Sequence, residues 1–260
     1  MKAIRLTGLV CLLTLFLLTT GCGTAGRSER FEQPTELHVA AAASLRFAFE
    51  ELGARFEEEH GVNVIFQFGS SGNLSQQIAS GAPVDLFASA NRAFVQQLVD
   101  SGDILDDTVS LYAIGRIVLA VNRDSGLVLE DLRDLLSDDV SVVSLGNPEH
   151  APFGLAGRQA LEALGLWDAL QDKLVYGESI SQAMEYVRTG NAPAGILAWS
   201  IADVEELHYV LIDDSLHEPL EQYLGIVTRT KHRPLAENFA QLIASPEGQD
   251  IMRSYGFDTP

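Results

Sequence analysis

Short apolar runs alternate with longer amphipathic segments along most of this chain, and this alternation restricts the fold more than any other feature of the sequence. Leu37–Ala43, Val62–Phe68 and Val84–Ala88 have the length of buried strands. A segment with apolar residues at helical spacing follows each run, and glycines such as Gly61 are typical helix ends. Strands that alternate with helices predict a parallel sheet covered by helices on both faces.

The second half of the chain repeats this plan. Arg116–Asn122 is apolar and predicts a crossing into a second lobe, and Tyr223–Thr228 predicts the return. The sequence therefore predicts an α/β protein with two βαβ-type lobes. Lobe 1 comprises residues 36–114 and 224–260, and lobe 2 comprises residues 115–223. Helices are predicted at 129–136, 152–164 and 179–189, and strands at 140–145, 173–176, 195–199 and 209–212.

The first 22 residues have the pattern of an export signal. Lys2 and Arg5 precede an apolar run, Leu9–Leu18, that is too short to span a bilayer. The small residues before Cys22 resemble a bacterial lipobox. We predict a signal peptide at 1–21, a lipid on Cys22, a tether at 22–35 and a protein held at a bacterial membrane in the periplasm or at the cell surface. An ordinary secretory signal with an incidental cysteine is the alternative.

Charge and cysteine content exclude several classes of function. The formal net charge is −19, and it becomes −21 once Lys2 and Arg5 leave with the signal, so the field of the whole protein repels nucleic acid. The chain has two cysteines, Cys11 in the signal and Cys22, so the mature chain has no disulfide and no site of several thiolate ligands for a metal. No cofactor is expected.

Serines stand where predicted strands pass into predicted helices, at Ser44, Ser71 and Ser179. Helix N-termini present unpaired N–H groups and a partial positive charge, so several of them together can hold an anion without lysine or arginine. Each serine alone has a structural explanation as a helix N-cap. The pattern leaves both roles open.

Five segments, in order along the chain, resemble the ModA family of molybdate-binding proteins from ABC importers. The first three are VAAAASL at 39–45, FGSSGNL at 68–74 and GAPVDLFASA at 81–90. The last two are GNPEHAPFG at 146–154 and the closing segment 246–257, which ends in YGF. Together they cover nearly all of the chain after the signal.

The resemblance implies a type II periplasmic-binding fold with a hinge of two crossings and an oxyanion, molybdate or tungstate, in the cleft. It implies hydroxyl and backbone donors at Ser44 and Ser71, backbone donors at Phe153 and Ile180, and a weaker position at Ala90. It also implies a membrane permease as partner, a monomer, and a binding protein, not an enzyme.

One departure from the family pattern concerns the ligand. Some members place a tyrosine hydroxyl on the anion from a strand that corresponds to Ala192–Ala198, and Ala198 stands at the tyrosine position here. Ser200 or a water molecule would then compensate, or the donor set is smaller. Sulfate, phosphate or a small organic acid therefore remain alternative ligands.

An exported hydrolase is the alternative from another class, with Ser44 or Ser71 as nucleophile and His150 as base. No carboxylate that would orient the base is evident in the sequence. The six histidines show no metal-ligand spacing, and His150 alone lies near the proposed site.

Overall fold

Ten strands and nine α-helices occupy residues 35–260, the part of the chain that the computed structural model describes. The strands are β1 Glu36–Ala42, β2 Asn63–Gly69, β3 Leu86–Ser89, β4 Ser110–Gly115, β5 Ile117–Asn122, β6 Val143–Gly146, β7 Leu174–Gly177, β8 Ala194–Ala198, β9 Leu207–Leu211 and β10 Leu220–Ile226. The helices are α1 Arg46–His60, α2 Ser71–Ala79, α3 Arg92–Asp100, α4 Pro152–Ala163, α5 Trp167–Leu170, α6 Ile180–Arg188, α7 Trp199–Ala202, α8 Arg233–Ala244 and α9 Pro246–Ser254.

Two five-stranded sheets have the same internal order. The first runs β2-β1-β3-β10-β4 and the second runs β7-β6-β8-β5-β9. In each sheet the first three strands are parallel and the fourth is antiparallel to both of its neighbours. The fold class predicted from the sequence, two α/β lobes of the type II periplasmic-binding fold, is confirmed.

The chain passes between the sheets twice. The first crossing is at Arg116, between β4 and β5, and the second lies in residues 212–219, between β9 and β10. The lobe boundary predicted at 223 and 224 falls inside β10, which pairs with β4 already at Leu220. Two short crossings that lie side by side are the connection expected of a hinge.

Both faces of the first sheet are covered by helices, because its buried strands carry apolar side chains on each side. Phe87 packs in the cluster under α2 and α3, whereas its neighbours Leu86 and Ala88 join the larger core. This alternation follows the two-residue period of a strand. On the second face Phe239 of α8 lies edge-on to Phe49 of α1, with ring centroids 6.0 Å apart.

One local prediction was wrong, and one strand was not predicted. The helix predicted at 129–136 is a 3-10 helix at Leu132–Leu136. The Asp134 carboxylate accepts the N–H groups of Glu130 and Asp131 at 2.8 and 2.9 Å, and this turn prevents an earlier helical start. Strand β4 was not predicted, because its partner β10 lies more than 100 residues away along the chain.

The predictions for the signal peptide, the lipid on Cys22 and the tether up to residue 34 lie outside the described residues. Among residues 35–260, no helix has both the length and the apolar character needed to cross a bilayer.

Replacing Phe239 by alanine should lower the free energy of unfolding by about 3–5 kcal/mol, because a fully buried ring that also contacts Phe56 is lost and leaves a cavity. Urea denaturation measures this loss. Phe239→Leu fills part of the cavity and should lose clearly less. Equal losses for the two variants would contradict this account of the core.

Candidate functional site

Four strands, a parallel pair in each sheet, end near one cavity, and each is followed by the start of a helix. Strands β1, β2, β6 and β7 end at Ala42, Gly69, Gly146 and Gly177. The helical segments that follow them begin at Ala43, Ser71, Pro152 and Ile180. The first of these is a 3-10 turn, Ala43–Leu45, that continues into α1. Ligands of open α/β sheets bind at the carboxyl ends of strands, so this is the expected place for a site.

A small cavity lies where the four helix starts meet. Its lining residues are small or apolar, and none of them carries an ionisable side chain. They are Ala42, Ala43, Ser44, Gly69, Ser70, Ser71, Ala151, Pro152, Phe153 and Ile180. The cavity therefore offers hydroxyls, backbone N–H groups and the positive ends of helix dipoles, but no charged group.

Ser44 is buried, with 1% of its surface exposed, and its hydroxyl has no hydrogen-bond partner within residues 35–260. The sequence suggested Ser44 as a helix cap, and this is wrong. Ser44 lies inside the 3-10 turn, whose N-cap is Ala42, and no side chain caps this turn. A buried hydroxyl without a partner costs about 1–3 kcal/mol, so its place in the cavity lining points to a partner that binds there.

Ser71 is fully buried and is the first residue of α2, so it also does not cap this helix. Its Oγ accepts the N–H of Ala90 at 3.0 Å. Since a serine hydroxyl both accepts and donates, Ser71 keeps its hydrogen for a second partner in the cavity. Ala90 is buried and lies outside the lining, where its N–H orients the Ser71 hydroxyl.

Phe153 and Ile180 stand at the starts of their helices, where backbone N–H groups have no partner inside the helix. Ala151, the N-cap of α4, has no side-chain oxygen to accept them, and Pro152 opens this helix. In α6 the N-cap Ser179 accepts the N–H of Gln182 at 3.3 Å. The Ser179 side chain therefore does not accept the N–H of Ile180. The structural role suggested for Ser179 as a cap is confirmed.

Ala198 is buried at the end of β8, paired with Ile117, and lies outside the ten lining residues. Ser200, which follows it, donates its hydroxyl hydrogen to the backbone oxygen of Ser44 at 2.7 Å. The Ser200 hydroxyl hydrogen is therefore bonded to the protein and is not available to an anion in the cavity. Ser181 of α6 makes a similar bond to the Ala43 oxygen at 3.1 Å, so two hydroxyls from lobe 2 hold the first turn of lobe 1.

His150 bonds to Ser70, with 2.9 Å between Nδ1 and Oγ, and to neither serine that the hydrolase alternative named. The backbone oxygen of His150 also accepts the N–H of Gly72 at 3.0 Å. The sequence reading missed these contacts, although Ser70 and His150 both stand in the quoted segments. Within the described part of the chain, no group of three His, Cys, Asp or Glu residues could hold a metal ion.

Two lobes around a small, uncharged, donor-rich cavity define a binding protein of the extracellular solute-binding class. The family model for bacterial extracellular solute-binding proteins matches residues 37–258. YvgL of Bacillus subtilis, whose name describes a substrate-binding lipoprotein of an ABC transporter, is 35% identical over 95% of this chain and 96% of its own. The molybdate-binding protein ModA of Rhodobacter capsulatus is 33% identical over 86% of this chain and 88% of its own.

The solved structures agree with these relatives. The periplasmic molybdate-binding protein of Azotobacter vinelandii superposes with a TM-score of 0.81 at 30% identity, over 86% of this chain and 99% of that one. The chain therefore belongs to the bacterial extracellular solute-binding protein family, and its resemblance to the ModA proteins is confirmed. Its relatives are solute-binding proteins and not enzymes, which excludes the hydrolase alternative.

Replacing Ser44 by alanine should leave the ligand-free protein as stable as before or more stable, because the change removes a buried hydroxyl that has no partner. Ser71→Ala should lose some stability, since the Ala90 N–H then loses its acceptor. Both should weaken binding of the anion by about 1–3 kcal/mol. Urea denaturation and isothermal titration calorimetry measure the two quantities.

Ser245→Ala is the matched control, because Ser245 caps α9 through the Gly248 N–H at 3.1 Å. It should lower the free energy of unfolding by about 1 kcal/mol and leave the affinity unchanged. Unchanged affinity in both Ser44→Ala and Ser71→Ala would show that the anion binds elsewhere.

Proposed function

We propose that this chain captures molybdate, and tungstate with it, in the cavity between its two lobes and delivers it to an ABC permease. The observation that carries the proposal is the Ser44 hydroxyl, buried beside the cavity without a protein partner among the described residues. Ser71, Phe153 and Ile180 supply the other donors. The Ala90 N–H orients the Ser71 hydroxyl. Ala198 has no hydroxyl, so no side chain at this position donates to the anion.

The charge of the protein explains why the donors are neutral. With a net charge of −19, long-range attraction of an anion is absent, so binding depends on groups in direct contact. An α-helix N-terminus carries about half a positive charge, so several of them at one cavity favour an anion there. A cavity with hydroxyl and N–H donors fits the oxygens of a tetrahedral oxyanion.

The choice among oxyanions rests on the relatives and on size. The relatives from Rhodobacter and Azotobacter carry molybdate in their names, which supports the same ligand here. Tungstate has the same charge and nearly the same size, so one cavity should hold both. Sulfate is smaller, and donors placed for the larger ion contact it less well.

We also propose that binding closes the lobes about the crossings at Arg116 and at residues 212–219, and that the closed monomer docks on its permease. The tether and a lipid on Cys22 would hold it at the membrane. The name of YvgL, a lipoprotein relative, supports the anchor.

Molybdate and tungstate should each raise the melting temperature, and sulfate and phosphate should raise it little. Ligand at about 100 times its dissociation constant stabilises a protein by about 2.7 kcal/mol. A thermal-shift series with the four anions at equal ionic strength measures this, with chloride as the control. A shift with sulfate and none with molybdate would reject molybdate as the ligand. It would favour sulfate, the alternative raised by Ala198 at the tyrosine position.

Cys22→Ser should move the protein from the membrane fraction to the soluble exported fraction, because the only thiol left after signal cleavage is lost. Immunoblots of fractionated cells measure the distribution, and mass spectrometry of the N-terminal peptide detects the lipid. Cys11→Ser, inside the signal, is the control and should change neither. An unchanged distribution for Cys22→Ser would contradict the anchor.

A further inference from the structure

We propose that His150 is a positioning residue that sets the width of the anion cavity, and so determines which oxyanions the cavity holds. It does this through the interlobe bridge, which we define as Ser70 and Gly72 of lobe 1 with His150 of lobe 2. The inference rests on the proposed function, since it concerns the selectivity of the same site.

The bridge consists of two bonds that join the lobes side by side. His150 Nδ1 lies 2.9 Å from Ser70 Oγ, and the His150 backbone oxygen accepts the Gly72 N–H at 3.0 Å. The imidazole is largely buried, with 16% of the side chain exposed, and its Nε2 lies 3.5 Å from a carboxylate oxygen of Glu178. Glu178 belongs to lobe 2 like His150, so this contact holds the ring without joining the lobes.

The two lobes approach so closely at the bridge that there is no room for a side chain at Gly72. A Cβ added at Gly72 would lie 2.8 Å from His150 Cβ and 3.0 Å from its backbone oxygen. Such distances require something to move, and the atoms concerned are near or in the backbone. Position 72 therefore has to be glycine for the bridge to form at this spacing, although alanine is the better residue within a helix.

The loop that carries His150 is tied down within lobe 2. The Asn147 N–H bonds to the Gly177 oxygen at 2.8 Å, and its backbone oxygen accepts the Ala151 N–H at 2.9 Å. The Asn147 side chain accepts the Glu149 N–H at 3.0 Å. His150 consequently has a fixed place relative to the end of β7 and the start of α4.

The bridge is adjacent to the anion donors on both sides. Ser70 directly precedes Ser71, and His150 stands three residues before Phe153. A bond from Ser70 to His150 thus fixes the separation between a donor of lobe 1 and a donor of lobe 2. Hydroxyls and N–H groups suit any tetrahedral oxyanion, so this separation is what distinguishes a large ion from a small one.

The test compares molybdate and sulfate on the full chain and its variants by isothermal titration calorimetry, with release rates from stopped-flow fluorescence. His150→Ala removes the side-chain bond and should weaken molybdate by about tenfold, mainly through faster release. Sulfate should change little, so the preference for molybdate falls. His150→Asn places an amide near the position of Nδ1 and should restore most of the preference.

Gly72→Ala prevents the bridge from the side of lobe 1 and should also lower the preference for molybdate, while the variant without ligand remains folded. Glu149→Gln, an exposed neighbour in the same loop, is the matched control and should change neither anion. This pair of variants separates a positioning role from a loss of folding.

The proposal is overturned if His150→Ala and Gly72→Ala both keep the wild-type ratio of the molybdate and sulfate affinities, or if both anions weaken equally. Wild-type protein that binds neither anion would instead reject the proposed function, and the inference with it. The wild-type titration therefore distinguishes the two failures.

Discussion

An ion with two negative charges loses its water when it enters a cavity, and the protein has to replace that water with groups that point their positive ends inward. The cavity that we propose for the anion has no lysine or arginine in its lining. Its groups are helix N-termini, whose N–H donors have no partner inside the helix, together with serine hydroxyls. The fold brings several such helix starts to one place from two lobes.

Parallel strands are the means by which the starts are brought together. Each parallel strand ends at the same edge of its sheet, and the helix that follows begins there. Because the two sheets share one strand order, their carboxyl edges can face each other across the cleft. The fourth strand of each sheet is antiparallel and adjoins a crossing, β10 in the first sheet and β5 in the second. Each of these strands pairs with β3 or β8, which in turn pairs with β1 or β6, so one sheet in each lobe joins the hinge to the candidate site.

The serines near helix starts have different roles, and the hydrogen-bond partner of each one decides its role. Ser179 and Ser245 accept a backbone N–H of their own helices and act as caps. Ser71 turns to the Ala90 N–H in another segment, and Ser44 has no partner among the described residues. Local sequence distinguishes none of these cases, since each serine stands close to a helix start. The family resemblance pointed to segments that line the cavity, but which serine caps a helix and which one faces the cavity depended on the positions of Ala90 and of the cavity.

The sequence by itself determined the α/β class, most of the strands and helices in their order, the net negative charge and, through the resemblance to the ModA family, the segments that carry the candidate site. The class and the elements depend on local periodicity and on glycine and proline at turns, which neighbouring residues fix, whereas the candidate segments rest on the family resemblance. The tertiary structure decided the pairing of β4 with β10, the shorter helix at Leu132–Leu136, and the bonds from Ser70 and Gly72 to His150. Each of these joins groups far apart in the chain or depends on side-chain hydrogen bonds, and their geometry exists only after the two lobes have folded and met.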